Sequence, residues 1–224
     1  MYHDRISNLE DMTPKEWKLW GCYESIFSGL LDDLKRNNLL KHPSTMPKNF
    51  IKLIETTNKF AITYNMVQFI FDEKGRSKRF VDQNKDEFKI TEEGLVYLLV
   101  SQVITCLITN AELFRNAMLL ILTMGDKFNE RMGLGTLLRE LIKVSPKHGT
   151  DIKNEIDTDL RNAMVHGTFW VDGLNIHYCT DMTLTNPKII RLDKLIFEEV
   201  KCFNIIARCF IWLIGEKASK GFFV

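Results

Sequence analysis

Arg161-Asn162-Ala163-Met164-Val165-His166-Gly167 is the stretch of the chain whose residue types could do chemistry. A histidine near its ordinary pKa of about 6.5 gives or takes a proton at neutral pH. Arginine adds a permanent, forked cation that matches phosphate oxygens. Together they suit acid–base chemistry at a phosphate ester, where positive charge must meet the charge that develops. On a helix, Asn162 lies one turn before His166 on the same face and is expected to hold the imidazole in one orientation. Arg161 is five positions from His166 and falls on a different face. The pair works together only if His166 ends the helix and its side chain turns out toward a cleft. Arg161 can instead pair with Asp157 or Glu155. Spacing alone does not single out this stretch, because Arg36-Asn37-Asn38-Leu39-Leu40-Lys41-His42 fits it too. That rival lies where a helix is expected to fray toward Pro43, with no glycine stop and no hairpin behind it.

Several elements must position these residues. Thr13-Pro14 opens a first helix, with Thr13 as N-cap and Pro14 in the first turn. Trp17, Trp20, Ile26, Leu30 and Leu34 give it one apolar stripe to about Asn38. A second helix begins near Pro47 with Phe50, Leu53 and Ile54. Residues 72–88 are the most polar stretch and read as a linker or solvated loop, despite Arg76, Lys78 and Arg79. Thr91, Glu92 and Glu93 start a long helix that Gly125 stops near Met124. Residues 134–144 form a shorter one, ended by Ser145-Pro146. Asp151 is expected to cap the next, which carries Ile152, Ile156 and Leu160 into Arg161. Gly167 sits where a left-handed helix terminus wants a glycine. Phe169–Val171 and residues 174–178 flank Asp172-Gly173, which predicts a hairpin with a two-residue turn. Asp193 then caps a final helix to about Gly215. The class that follows is mainly α: a helical bundle of about five to seven helices with one small β-hairpin near residues 168–179.

The Arg161–Gly167 stretch resembles the signature of the HEPN superfamily, the "higher eukaryotes and prokaryotes nucleotide-binding" domains. The preceding Leu134–Leu141 helix is similar to the one before the motif in that group. So is the long earlier helix with a polar cluster, here Glu112, Arg115 and Asn116. The resemblance covers roughly residues 90–216. It lends no support to residues 1–89, which are expected to form an N-terminal helical region of unassigned role packed on the bundle, beside a HEPN-like helical domain, 90–224. It also implies a homodimer that places two Arg–His motifs in one cleft. Many members are metal-independent endoribonucleases, and others bind or regulate without catalysis. By position, Arg161, His166 and Asn162 take the catalytic places, while Glu112, Arg115 and Asn116 take substrate-binding ones. No metal or cofactor is implied. Cleaving RNA through its own 2′-hydroxyl needs a base for that hydroxyl and an acid for the leaving 5′-oxygen. One chain supplies one such histidine from the motif, so two chains would complete the site. The expected function is an RNA-cleaving toxin or defence effector, with RNA as substrate and a neutralising protein among its partners. The alternatives are an inactive module binding RNA, a nucleotide or a partner protein, and a helical interaction protein with no nucleic-acid role.

Composition narrows the field. The 224 residues carry a net charge of +1, which argues against broad adhesion to DNA or an acidic membrane. Cys22, Cys106, Cys179, Cys202 and Cys209 are odd in number and form no CxxC pair, so they read as reduced core cysteines. The polar amino terminus lacks the apolar core of a secretory signal, which points to the cytoplasm. Residues 94–111 carry no charge, but Ser101, Gln102, Thr105, Thr109 and Asn110 interrupt them. A buried core helix is expected there rather than a membrane span.

Overall fold

The structure, a computed structural model, describes residues 12–43, 48–70, 82–83, 91–181 and 183–223. It is mainly α, as expected, with seven helices and one small antiparallel sheet among the described residues. The helices are α1 (Pro14–Arg36), α2 (Lys48–Ile70), α3 (Glu92–Ile121), α4 (Leu134–Val144), α5 (Pro146–Glu155) and α6 (Thr158–His166). Strands β1 (Phe169–Asp172), β2 (Asn175–Tyr178) and β3 (Lys188–Arg191) follow. The last helix, α7 (Lys201–Ser219), is entered through a one-turn segment, Leu192–Lys194, and a π-helical segment, Leu195–Val200. Of the polar stretch 72–88 only Asp82 and Gln83 are described, and they are helical; the rest of that expectation lies outside the described residues. The chain forms two compact units. One combines Met1–Asn58, Asn110–Thr158 and Cys202–Val224, and the other Lys59–Thr109 and Asp159–Lys201.

In the first unit, α1 starts as its sequence dictates. The Glu16 amide donates to Thr13 Oγ1 at 3.3 Å and the Thr13 amide donates back to the Glu16 carboxylate at 2.7 Å, a closed capping box. Phe27, Phe114 and Phe210 form the centre of the core, with ring centroids 4.9–5.7 Å apart. All three are fully buried. Trp20 packs edge-on against Trp212 at 5.9 Å, so these aromatics serve the core. The end of α1 differs from expectation. It does not fray: Asn38 adopts φ 55° and the Leu39 amide donates to Leu34 O at 3.0 Å. Asparagine tolerates the left-handed region and here does the work of a terminal glycine. The next residues pair with the end of α3, where Lys41 N donates to Ile121 O and Thr123 N to Leu39 O, each at 2.8 Å. That strand-like bridge stops α3 at Ile121, three residues before the expected end.

The expected helix capped by Asp151 is two helices. Pro146 starts α5, which leaves Asp151 inside it, and Ile156 (φ −114°, ψ 102°) breaks the run before α6. Proline lacks the amide that a helix leaves unsatisfied in its first turn, which explains the earlier start. Ser145 just ahead is fully buried and its hydroxyl donates to Asp33 Oδ2 at 2.5 Å. That hydrogen bond first, and Arg36 beside it, hold the Asp33 carboxyl below the usual carboxylate range. A depressed folded pKa contributes stability above the unfolded value of about 3.9, lost as pH falls through the folded value. Ser145→Ala is therefore expected to lower the urea midpoint at pH 6 and to lower it much less at pH 3. Equal losses at both would refute the linkage.

In the second unit, the Cys106 thiol donates to Phe60 O at 3.2 Å, tying α3 to α2. Burial pushes that thiol up to about 12. By length and composition, the Glu93–Ile121 stretch of α3 is the one helix among the described residues apolar enough to cross a membrane. Its residues 110–121 are packed as a core helix, while Tyr97 and Leu98 are 50% and 56% exposed. Before residue 110 the helix still carries a buried apolar face, with Leu95, Leu99, Val100, Val103, Cys106 and Leu107 all buried, in line with the core expectation. The expected hairpin is present but turns one residue later. Asp172 pairs with Asn175, so Gly173 (φ 57°) and Leu174 form the loop. Glycine at the first central position with an ordinary residue after it fits a type II′ turn. A third strand, β3, extends the hairpin to the order β1-β2-β3. The Leu192 amide donates to Leu174 O at 2.8 Å, which carries the β2–β3 pairing one residue further. Asp193 lies in the first turn of the closing helical run rather than capping it, since Arg191 occupies the N-cap. That run continues past Gly215 to Ser219.

Candidate functional site

Arg161, Asn162 and His166 all lie on α6, in the second unit. Gly167 follows at φ 69° and the Thr168 amide donates to Ala163 O at 3.0 Å, a glycine-terminated helix end as the sequence predicts. His166 is the last helical residue and is exposed. Arg161 and Asn162 are half-buried. The Asn162 carboxamide oxygen accepts from Arg161 Nη1 at 3.0 Å. Asn162 thus orients the guanidinium of its neighbour. Among the described residues no hydrogen bond joins it to His166, which sits one turn on.

Behind His166 the chain is pinned by Thr168. Its hydroxyl donates to Cys179 O at 2.7 Å, and Cys179 N donates to Thr168 O at 2.9 Å. Lys188 on β3 reaches Asp159 in the first turn of α6 at 2.7 Å. Both partners are about half exposed, so this pair contributes little to stability.

Glu112, Arg115 and Asn116 lie on the part of α3 that belongs to the first unit. They form one local cluster. Arg115 Nη1 lies 3.5 Å from the Glu112 carboxylate and donates to Asn116 Oδ1 at 3.2 Å. Asn116 Nδ2 donates to Glu112 O at 2.7 Å. The same guanidinium donates to Met132 O at 2.5 Å and Glu130 O at 2.8 Å, so it holds the loop before α4. The rival histidine, His42, is exposed, and Arg36 is taken up by Asp33 one turn earlier.

Two features of the second unit were not read from sequence. Trp170 and His177 stack at 5.0 Å with their planes 6° apart on the outer face of the sheet, and Ile189 is next in the row. Trp170 is 40% and Ile189 61% exposed. The second is a cavity of about 400 Å³ beside β3, lined by Ile189, Ile190, Arg191, Asp193, Lys194, Phe197 and Glu198. The β-branched pair Ile189-Ile190 after Asn186-Pro187 was the signal for β3.

Other chemistry-bearing groups lie elsewhere. In the first unit the buried Tyr23 hydroxyl lies 2.9 Å from Glu155 Oε2 and 2.6 Å from Cys202 Sγ. Burial first, and these partners, push the phenol far up from its ordinary value. None of the five cysteines forms a disulfide; Cys106, Cys179 and Cys209 are buried, Cys202 half-buried and Cys22 exposed. No group of three His, Cys, Asp or Glu residues among the described residues is placed to hold a metal ion. Comparison with protein families, with curated proteins and with solved structures found no match to the chain.

Proposed function

We propose that the protein is a HEPN-type, metal-independent endoribonuclease that cleaves RNA through the 2′-hydroxyl and works as a homodimer in the cytoplasm. The observation that carries this reading is the exposed His166 at a glycine-terminated helix end, with Arg161 on the same helix oriented by Asn162. In this reading the imidazole moves the proton of the attacking 2′-hydroxyl or of the leaving 5′-oxygen. The Arg161 guanidinium stabilises the developing charge on the phosphorane. A second chain supplies the other histidine. Glu112, Arg115 and Asn116 are assigned to RNA contact, and a neutralising protein partner completes the toxin or defence role.

Incubation of the purified protein with mixed RNA in chelator tests this. The expected products carry 2′,3′-cyclic phosphate ends, and Arg161→Ala removes them. Intact RNA with the wild-type chain would sink the enzymatic reading. One observation favours the second reading, an inactive module that binds RNA, a nucleotide or a partner protein. Asn162 is committed to Arg161, which leaves His166 without the expected orienting partner. Retained RNA binding without cyclic-phosphate ends would select it.

A further inference from the structure

The outer face of the sheet carries a row of ring-bearing and apolar side chains beside a polar one. Register sets Trp170 opposite His177 and His177 opposite Ile189, so these three stand in line across β1, β2 and β3. The indole and the imidazole lie face to face, with 5.0 Å between centroids and 6° between planes. Stacking of directly opposed residues points the ring normals along the strand-to-strand direction. The far face of the imidazole is therefore turned to Ile189, and the far face of the indole is turned off the edge of β1. That edge pairs with no strand among the described residues. Two residues along each strand, Asp172, Asn175 and Arg191 make the polar row.

Three observations say what such a row takes. The first is its flatness. An indole already held by a stacked neighbour loses little freedom on binding, and its free π-face accepts any nucleobase. The second is its size. Trp170 is 40% exposed, which leaves about 100 Å² of a side chain that can bury up to about 250 Å². Even with Ile189 at 61% exposed, the row falls far short of the roughly 800 Å² per partner of a stable protein interface. It is sized for one planar group, not for a folded partner. The third is its place. Trp170 follows His166 by four residues, so their Cα atoms are at most about 14 Å apart. A short stretch of one RNA strand spans that distance.

We propose that Trp170, held upright by His177, is a base-stacking site: an unpaired nucleobase of single-stranded RNA lies on the free face of the indole. The contact is a π-contact and not an ionic one, in keeping with a chain of net charge +1. It tolerates any base and holds purines more tightly, because they offer the larger face. The inference rests on RNA as the ligand of this protein, but not on catalysis. It gives a nuclease its grip on substrate beside His166, and it serves an inactive RNA-binding module equally.

Fluorescein-labelled RNA decamers with 2′-O-methyl riboses cannot be cut through the 2′-hydroxyl. Their anisotropy therefore reads binding by the full chain whether or not it cleaves. The probes are oligo(A), oligo(U) and an abasic strand. The wild-type protein is expected to bind oligo(A) most tightly and the abasic strand at least about tenfold more weakly. Trp170→Ala should weaken oligo(A) by about 5- to 150-fold, the range for one stacked base, and leave the abasic strand unchanged. Trp170→Phe should keep most of the affinity, while Trp170→Leu, apolar but not aromatic, should lose it. The loss should be equal at about 50 and about 200 mM salt, because stacking releases no counterions. Trp170 is partly exposed, so circular dichroism should show all three variants folded. No binding of any strand by the wild type would overturn the proposal. So would a Trp170→Ala or Trp170→Leu protein that binds oligo(A) as tightly as the wild type. Absence of cyclic-phosphate ends in the cleavage assay bears on the nuclease reading alone.

Discussion

His166→Ala is expected to slow RNA cleavage by about 10²–10⁴-fold, a loss of about 3–5 kcal/mol of transition-state stabilisation. The matched control is His42→Ala, which removes the histidine of the rival Arg–His spacing and should leave the rate within about twofold. Both side chains are exposed, so neither substitution opens a cavity. A time course of cyclic-phosphate ends in chelator reads both variants. If His42→Ala costs as much as His166→Ala, the wrong stretch has been assigned. If neither changes a genuine cleavage rate, the acid–base group lies elsewhere in the chain. Because each chain would bring half of a site, mixing excess His166→Ala protein with the wild type should also depress the wild-type rate.

The second large effect concerns stability and takes opposite signs at two glycines. A Cβ on Gly149 would lie 2.8 Å from the Ile142 Cα and N and 2.9 Å from the Leu141 carbonyl carbon. These are backbone atoms of α4, so no side chain can swing aside; the two helices must part. Gly149→Ala gains about 1 kcal/mol in helix propensity but overpacks a backbone contact, which costs several times that. A net loss of about 2–3 kcal/mol is expected. Gly135, inside α4, has nothing within 4 Å of an added Cβ. There the propensity term stands alone, and Gly135→Ala should stabilise by about 0.5–1 kcal/mol. Urea midpoints of the two variants check the contrast. Equal effects would mean that the close approach of α5 to α4 does not constrain the fold.

Where sequence reading succeeded, the signal was local. Thr13-Pro14 with Glu16 specifies a helix start in four residues, and Gly167 ends α6 where its freedom at positive φ is needed. Leu134–Val144 was legible to the residue because its apolar positions share one face and Ser145-Pro146 closes it. Failures came where a distant partner decided the outcome. Nothing local stops α3 at Ile121; the bridge from Leu40 does. The end near Asn38 was expected, but as a frayed one, because asparagine is a weaker signal than glycine for a left-handed stop. A π-helical turn has no composition of its own, so Leu195–Val200 read as ordinary helix. For the candidate site, the sequence placed Arg161, Asn162 and His166 on one helix. It misjudged what Asn162 holds, since spacing fixes which residues are near and not which of them hydrogen-bond.

Thr168 gives the His166 end of the molecule a built-in clock. Its amide, carbonyl and hydroxyl are all engaged, with Ala163 and Cys179, and the side chain is 7% exposed. An amide so held exchanges with solvent deuterium only when helix end and sheet open together. The exchange lifetimes of the Thr168 and Cys179 amides therefore time the local opening of this corner. A molecule that settles against His166 would lengthen them without touching either residue, so occupancy can be followed before any reaction is known.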